Sequence, residues 1–159
     1  MTARAGIGYD VHRRVEGRPL VLGGVRFESP WGLAGHSDAD VVSHAIGDAL
    51  LGAAALGDLG EHFPPGDPKW RDASSLDLLA RIAALLRGRG ARIVNVDAMV
   101  LAEAPKLAPA RTAMVANLAR ALGIDPTQVS VKATTSEGLG AIGRGEGIAA
   151  WAAAMVELP

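Results

Sequence analysis

The chain has 159 residues, a formal net charge of −1, no cysteine and 49% hydrophobic side chains. That length is read as a single domain over residues 1–159, with no electrostatic case for nucleic acid or a membrane surface, and any metal is left to histidine and carboxylate ligands. No secretory pattern opens the chain and no apolar run nears the ~20 residues that span a bilayer, so a soluble cytoplasmic protein is expected.

Arg4 to His12 reads as the first strand. Residues two apart on a strand face one way, so Asp10 and His12 project together, a carboxylate beside an imidazole. Leu20 to Phe27 follows as a second strand, bent at Gly23-Gly24. From Gly35 a polar loop holding His36, Ser37, Asp38 and Asp40 turns into an apolar helix that reaches Leu56, with Ser37 or Asp38 as its N-cap. Val42, Ala45, Ile46, Ala49, Leu50 and Ala53 give that helix its core face, while His44 and Asp48 share another. Histidines and acids gathered at a helix start point to a metal, an anion or both. Asp48, one turn beyond His44, is a candidate to orient that imidazole.

Gly57 to Pro68, rich in glycine and proline, is read as an ordered loop without regular structure, and a loop of that length carrying acids and Phe63 is of the functional kind. Ser74-Ser75 caps a second helix, Leu76 to Arg87, ended by Gly88 and Gly90. Arg92 to Ala102 is a third strand. It leads into a proline-bounded loop with Lys106, which can be aimed at a phosphate or a base. A third helix spans about Ala110 to Leu122, and Val129 to Thr135 is a fourth strand. Gly138, Gly140 and Gly143 spell G-x-G-x-x-G, but more glycines and a strand follow instead of a helix, so a dinucleotide fold is rejected. What remains is a glycine loop able to approach a phosphate. The last run, Gly147 to Val156, has no polar side to offer water, and the whole chain's mean hydropathy is +0.21. Such a strand is expected to be covered on both faces, within the chain or by a subunit interface. The element order implies an α+β fold with helices on one face of a four-stranded mixed sheet.

The assembled motifs are Gly8-Tyr9-Asp10-Val11-His12, Gly35-His36-Ser37-Asp38-Ala39-Asp40, His44, Leu56-Gly57-Asp58-Leu59-Gly60, Phe63-Pro64, Ala104-Pro105-Lys106, Lys132-Ala133-Thr134-Thr135, Glu137 and Gly143-Arg144-Gly145-Glu146-Gly147. Collinear over nearly the whole chain, they resemble the 2-C-methyl-D-erythritol 2,4-cyclodiphosphate synthase family of the non-mevalonate isoprenoid pathway. The resemblance implies a homotrimer, with sheets assembled around the trimer axis and active sites between subunits. It also implies a metal-dependent cyclisation of 4-diphosphocytidyl-2-C-methyl-D-erythritol 2-phosphate that expels CMP.

By the same resemblance Asp10, His12 and His44 hold Zn²⁺ or another divalent ion, and Glu137 holds Mg²⁺ or Mn²⁺ bridging the diphosphate. His36 and Thr135 stabilise the transition state. Substrate contacts are implied at Asp10, Val11, His12, His36, Ser37, Asp58, Leu59, Gly60, Phe63, Pro64, Pro65, Gly66 and Asp67. They continue at Ala102, Glu103, Ala104, Pro105, Lys106, Leu107, Ala108, Thr134, Thr135, Ser136 and Glu137, with Ala141 and Arg144 at an axial cavity that can take a prenyl diphosphate in the family. Glu103, Met99 and Ala141 depart from the residues usual there, and the small Ala141 puts the axial ligand in doubt. A catalytically silent, trimeric nucleotide- or metal-binding protein is the alternative of another class, and metal-dependent hydrolysis of a nucleoside diphosphate is a second enzyme reading.

Overall fold

Two glycines decide how the sheet meets its principal helix. In the computed structural model, which describes residues 1–159, β1 (Thr2–Glu16) presents Gly6 and Gly8 to α1 (Val41–Ala53). Without side chains there, the two backbones touch. A Cβ placed on Gly8 would lie 1.9 Å from the carbonyl oxygen of Ala45, and one on Gly6 would lie 2.1 Å from that of Ala49. β1 runs antiparallel to β7 (Gly147–Leu158), from Thr2 opposite Leu158 to Arg13 opposite Gly147.

The sheet has five strands rather than the expected four, in the order β4-β1-β7-β5-β6, with β4 at Trp31–Leu33, β5 at Arg92–Leu101 and β6 at Val129–Thr134. The extra member, β4, pairs with the far end of β1 through Arg14 opposite Leu33. It is too short to show a period of its own. Only β5 and β6 are parallel, and α4 (Arg111–Leu122) connects them, as a parallel crossover requires. Leu20 to Phe27 is a separate hairpin, β2 (Leu20–Leu22) and β3 (Val25–Phe27). Gly23 and Gly24 have φ of +56° and +72°, the left-handed pair that a two-residue hairpin turn needs, so they form a reversal and not a bend.

α1, α3 (Ser75–Gly88) and α4 pack on one face, as expected. The core between helices and sheet is aliphatic: Ile46, Leu50, Ile82, Leu86, Met114 and Leu122 are fully or almost fully buried against Val100 and Val156. Each such side chain contributes ~1.5–3 kcal/mol relative to exposure. On the other face the alternate residues of β1 and β7 stand open, with Ile7 78% and Trp151 50% exposed beside Tyr9, Val11 and Met155. The Tyr9 and Trp151 rings pair at 4.6 Å between centroids. β7 is thus covered by its own chain on one face only.

Two short helices occupy segments expected to be irregular. α2 (Leu59–His62) starts where Asp58 accepts the Glu61 amide at 3.0 Å, and α5 (Gly140–Gly143) is a single turn within the glycine loop.

Candidate metal centre and substrate cleft

The close approach at Gly8 brings the middle of β1 against the first turns of α1, and three donors meet there. Asp10 and His12 project from β1 on the helix side, and His44 projects from the first turn of α1. Asp10 Oδ2 lies 2.7 Å from His12 Nε2 and 3.0 Å from His44 Nδ1, and the two imidazole nitrogens are 3.2 Å apart. His12 Nδ1 donates to the carbonyl oxygen of Ala34 at 2.6 Å, so a neutral ring turns its Nε2 lone pair toward the carboxylate.

Burial works to raise the Asp10 pKa, but when the rings carry the proton in place of a metal, the hydrogen bonds and charges of His12 and His44 outweigh burial and bring the carboxyl down to about 2. For His12 burial pulls the pKa down, and the Asp10 carboxylate more than reverses that, leaving it raised. Both shifts have one origin: the Asp10 carboxylate and the imidazoles beside it attract one another. All three ligand atoms lie within 4.8 Å of one another. One carboxylate and two imidazoles are a donor set that fits a divalent cation and leaves a fourth tetrahedral position for a ligand oxygen.

The loop before α1 is pinned from several sides. Asp40, neither of the expected capping residues, is the N-cap, its Oδ1 accepting the Ser43 amide at 3.2 Å. Its carboxylate also takes the amides of Gly23 at 2.9 Å and Gly24 at 2.8 Å and the Ser43 hydroxyl at 2.8 Å. Burial, helped by the Asp38 charge, pushes the Asp40 pKa up against these bonds. Asp38 serves another helix. Its Oδ2 accepts the amide of Ser75 at 3.0 Å and so caps α3, where Ser74 makes no side-chain cap bond. Asp48 does not orient His44. Its Oδ1 accepts the Leu59 amide at 2.8 Å and ties α1 to α2, with burial raising its pKa.

A cleft of about 300 Å³ opens over the three donors, walled by His36, Ser37, Leu59, Gly60, Phe63 and Pro65, and by Asp48, Trp70 and Leu78. Trp70 packs edge-to-face on Phe63 at 5.0 Å between centroids.

Residues 3–157 match the model of the YgbB family. The chain belongs to that family. The 2-C-methyl-D-erythritol 2,4-cyclodiphosphate synthase of Thermosynechococcus vestitus is 58% identical over 157 residues, covering 99% of this chain and 98% of the relative. The synthase of the same name from Gloeobacter violaceus is 59% identical over 154 residues, with 97% and 94% covered. Among solved structures, the CDP complex of IspF from Plasmodium falciparum matches with a TM-score of 0.85 at 34% identity, over 98% of this chain and 96% of that one. The bifunctional IspDF of Campylobacter jejuni matches with a TM-score of 0.95 at 42% identity; this chain is covered to 99% and spans 43% of that longer protein.

In this YgbB-family chain the residues expected at the site fall into two groups. Asp10, His12, His36, Ser37, His44, Leu59, Gly60, Phe63 and Pro65 line the one cleft. Asp58, Pro64, Gly66 and Asp67 adjoin that lining in sequence: Asp58 caps α2, Pro64 and Gly66 flank Pro65, and the Asp67 carbonyl oxygen accepts from His36 Nε2 at 2.9 Å. Val11, between two donors, faces the open side of the sheet. Ala102 to Ala108 and Thr134 to Glu137 lie elsewhere, at the ends of β5 and β6. Asp10 and Val100 both sit opposite Ala150, so β5 is two strand spacings away, about 10 Å. There Glu103 accepts the Ser136 amide at 2.8 Å, and Thr135 Oγ1 accepts the Glu137 amide at 3.2 Å. Ala141 is in α5, and Arg144 pairs with Glu146 at 2.6 Å. The sequence reading missed Trp70 and Leu78. Trp70 sits in a 3₁₀ turn with no period to mark it, and Leu78 reads as an ordinary core position of α3.

Proposed function

We propose that the protein converts 4-diphosphocytidyl-2-C-methyl-D-erythritol 2-phosphate to 2-C-methyl-D-erythritol 2,4-cyclodiphosphate and CMP. The observation that carries this is the meeting of Asp10, His12 and His44 in one cleft, in a chain whose relatives are named for that synthase. An oxygen of the 2-phosphate forms a bond to the β-phosphorus, and the bond from that phosphorus to the bridging oxygen breaks, its electron pair leaving with CMP. The nucleophile is already an anion, so no side chain has to remove a proton from it. What the protein must supply is orientation and relief of charge repulsion, and orientation alone supplies up to ~7–11 kcal/mol in ideal intramolecular cases.

Asp10, His12 and His44 would hold Zn²⁺, and Glu137, a single carboxylate of the kind that shares Mg²⁺ or Mn²⁺ with substrate phosphates, would hold the second ion. Bound there, the two cations neutralise and align the phosphates. His36 is tied to the 63–67 segment through Asp67, so that segment and the imidazole settle on a ligand together. Thr135 Oγ1 already accepts an amide, which leaves its hydroxyl proton for a phosphate oxygen. Cytidine contacts fall to Ala102–Ala108 with Lys106, and those residues are two strands from the cleft. A second copy bringing them to the first copy's cleft answers that separation. The open apolar face of β1 and β7 supports association, here proposed as a homotrimer with shared sites.

Product analysis tests the proposal: incubation with the substrate should release CMP and a cyclic diphosphate. A linear product carrying solvent oxygen would establish hydrolysis instead, and tight CDP binding with no turnover would establish the silent reading.

A further inference from the structure

The metal reading needs His44 to present Nδ1 as a lone pair, and nothing in the triad enforces that. His12 is held in the required form by a main-chain carbonyl, but His44 has no such partner. Its Nε2 faces two serine hydroxyls, Ser75 Oγ at 2.9 Å and Ser37 Oγ at 3.1 Å. A hydroxyl both donates and accepts, so neither alone selects a tautomer.

Ser75 differs from Ser37 in where its proton goes. Ser75 opens α3, is 1% exposed, and donates its hydroxyl proton to Asp38 Oδ1 while its amide donates to Asp38 Oδ2 at 3.0 Å. A carboxylate only accepts. With its one proton committed, Ser75 Oγ can only receive from His44, which therefore carries hydrogen on Nε2, and in the neutral ring that binds a metal this leaves Nδ1 bare, 3.0 Å from Asp10 Oδ2. Ser37 Oγ accepts the Ala39 amide at 3.3 Å, which leaves its own proton free to turn either way.

We propose that Asp38 and Ser75 are positioning residues, a carboxylate–hydroxyl–imidazole relay that sets the tautomer of His44 for metal binding; this rests on the metal reading of Asp10, His12 and His44. The relay also explains why the loop before α1 and the start of α3 are bound to one another. The carboxylate that caps α3 is the same one that polarises the hydroxyl against His44.

Two substitutions separate the relay from the cap. Ser75→Ala removes the hydroxyl and keeps the amide bond to Asp38. Asp38→Asn keeps the shape and an acceptor for the amide but can turn its NH₂ toward Ser75 Oγ, reversing the relay and sending a proton to His44 Nε2. Loss of such an outer partner lowers metal affinity by about 10–100-fold. The full-length chain and both variants would be titrated with Zn²⁺ against a chromophoric chelator, and ¹⁵N-histidine spectra of the zinc-loaded protein would report His44. The expected result is a zinc affinity lowered about 10–100-fold in both variants, while the zinc-free Ser75→Ala protein still unfolds cooperatively with a Tm lowered by only about 2–6 °C, the cost of one lost hydrogen bond. A slowly exchanging His44 Nε2–H should appear in the wild type and be lost in Ser75→Ala. Wild-type zinc affinity in both variants, or a His44 with its proton on Nδ1 in zinc-loaded protein, would overturn the relay and leave the metal site standing. Zinc content unchanged in His44→Ala would overturn the metal reading itself.

Discussion

Replacing Gly8 by alanine tests whether backbone contact between β1 and α1 sets the metal centre. The added methyl would sit 1.9 Å from the Ala45 carbonyl oxygen, whereas ordinary contact begins at 3.4 Å, so α1 must retreat by about 1.5 Å at that point. The obstructing atoms are main chain, including Ala49 N at 2.8 Å, and no rotamer change can clear them. Ala45 follows His44 directly, while Asp10 and His12 remain on β1, so the displacement opens the triad along its own axis. Metal ligand distances are held to about ±0.2 Å, far less than the required shift. Overpacking of this kind costs ~1–3 kcal/mol and occasionally more, and for a chain of this length each kcal/mol lowers Tm by roughly 2–4 °C. Gly8→Ala should therefore lower Tm by roughly 2–12 °C in chelator, which removes metal linkage from the measurement, and weaken zinc binding at least about tenfold. Gly88→Ala is the control. It lies at the end of α3 with nothing within 4 Å, and should be neutral or stabilising by up to ~1 kcal/mol. A Gly8→Ala protein with wild-type Tm and zinc affinity would refute the backbone-contact account.

Asp40→Ala removes an N-cap and leaves the buried amides of Gly23 and Ser43 without an acceptor; a loss of at least ~3 kcal/mol in urea unfolding is expected, and a loss under ~1 would show that the hairpin and α1 do not depend on that carboxylate. Trp151→Glu places a charge on the open face, and light scattering should show the proposed homotrimer falling to a single chain; an unchanged mass would move the interface elsewhere. Dialysis against chelator should abolish CMP release, with Zn²⁺ and Mg²⁺ together restoring it, and full activity after chelation would exclude the metal mechanism. Asp125 is held below its ordinary 3.8 by the Thr127 hydroxyl and amide. The stability it lends is present above the unfolded pKa and lost as pH falls through the folded one, so a carboxyl NMR titration placing Asp125 at or above 3.8 would contradict the cap.

Asp10 and His12 were legible because a strand has an unambiguous period of two, and His44 because it begins an amphipathic helix. Partners chosen by distant chain segments were not. Ser37, Asp38 and Asp40 are all capable caps, and Asp40 wins because the Gly23 and Gly24 amides converge on it from a hairpin remote in sequence. Asp48 sits one turn from His44, yet its acceptor is taken by Leu59 across a turn that no local pattern announces. Gly57 to Pro68 hid α2 because one helical turn among prolines has no periodicity, and β4 escaped because Trp31–Leu33 is too short to alternate. The division of the expected substrate contacts into two groups could not be read at all, since it depends on β7, the last strand, lying between β1 and β5.

β1 has two readers. Its even-numbered residues from Gly6 to His12 address the helix and the candidate metal site, while Ile7, Tyr9 and Val11 stand open on the opposite side. Pressure on that outer side is delivered to the ligands through a single backbone, with no flexible joint between. In the proposed enzyme, docking of a second copy and chemistry would be mechanically one event, and a change that loosens the outer seat should be felt first as a slackened grip on the ion.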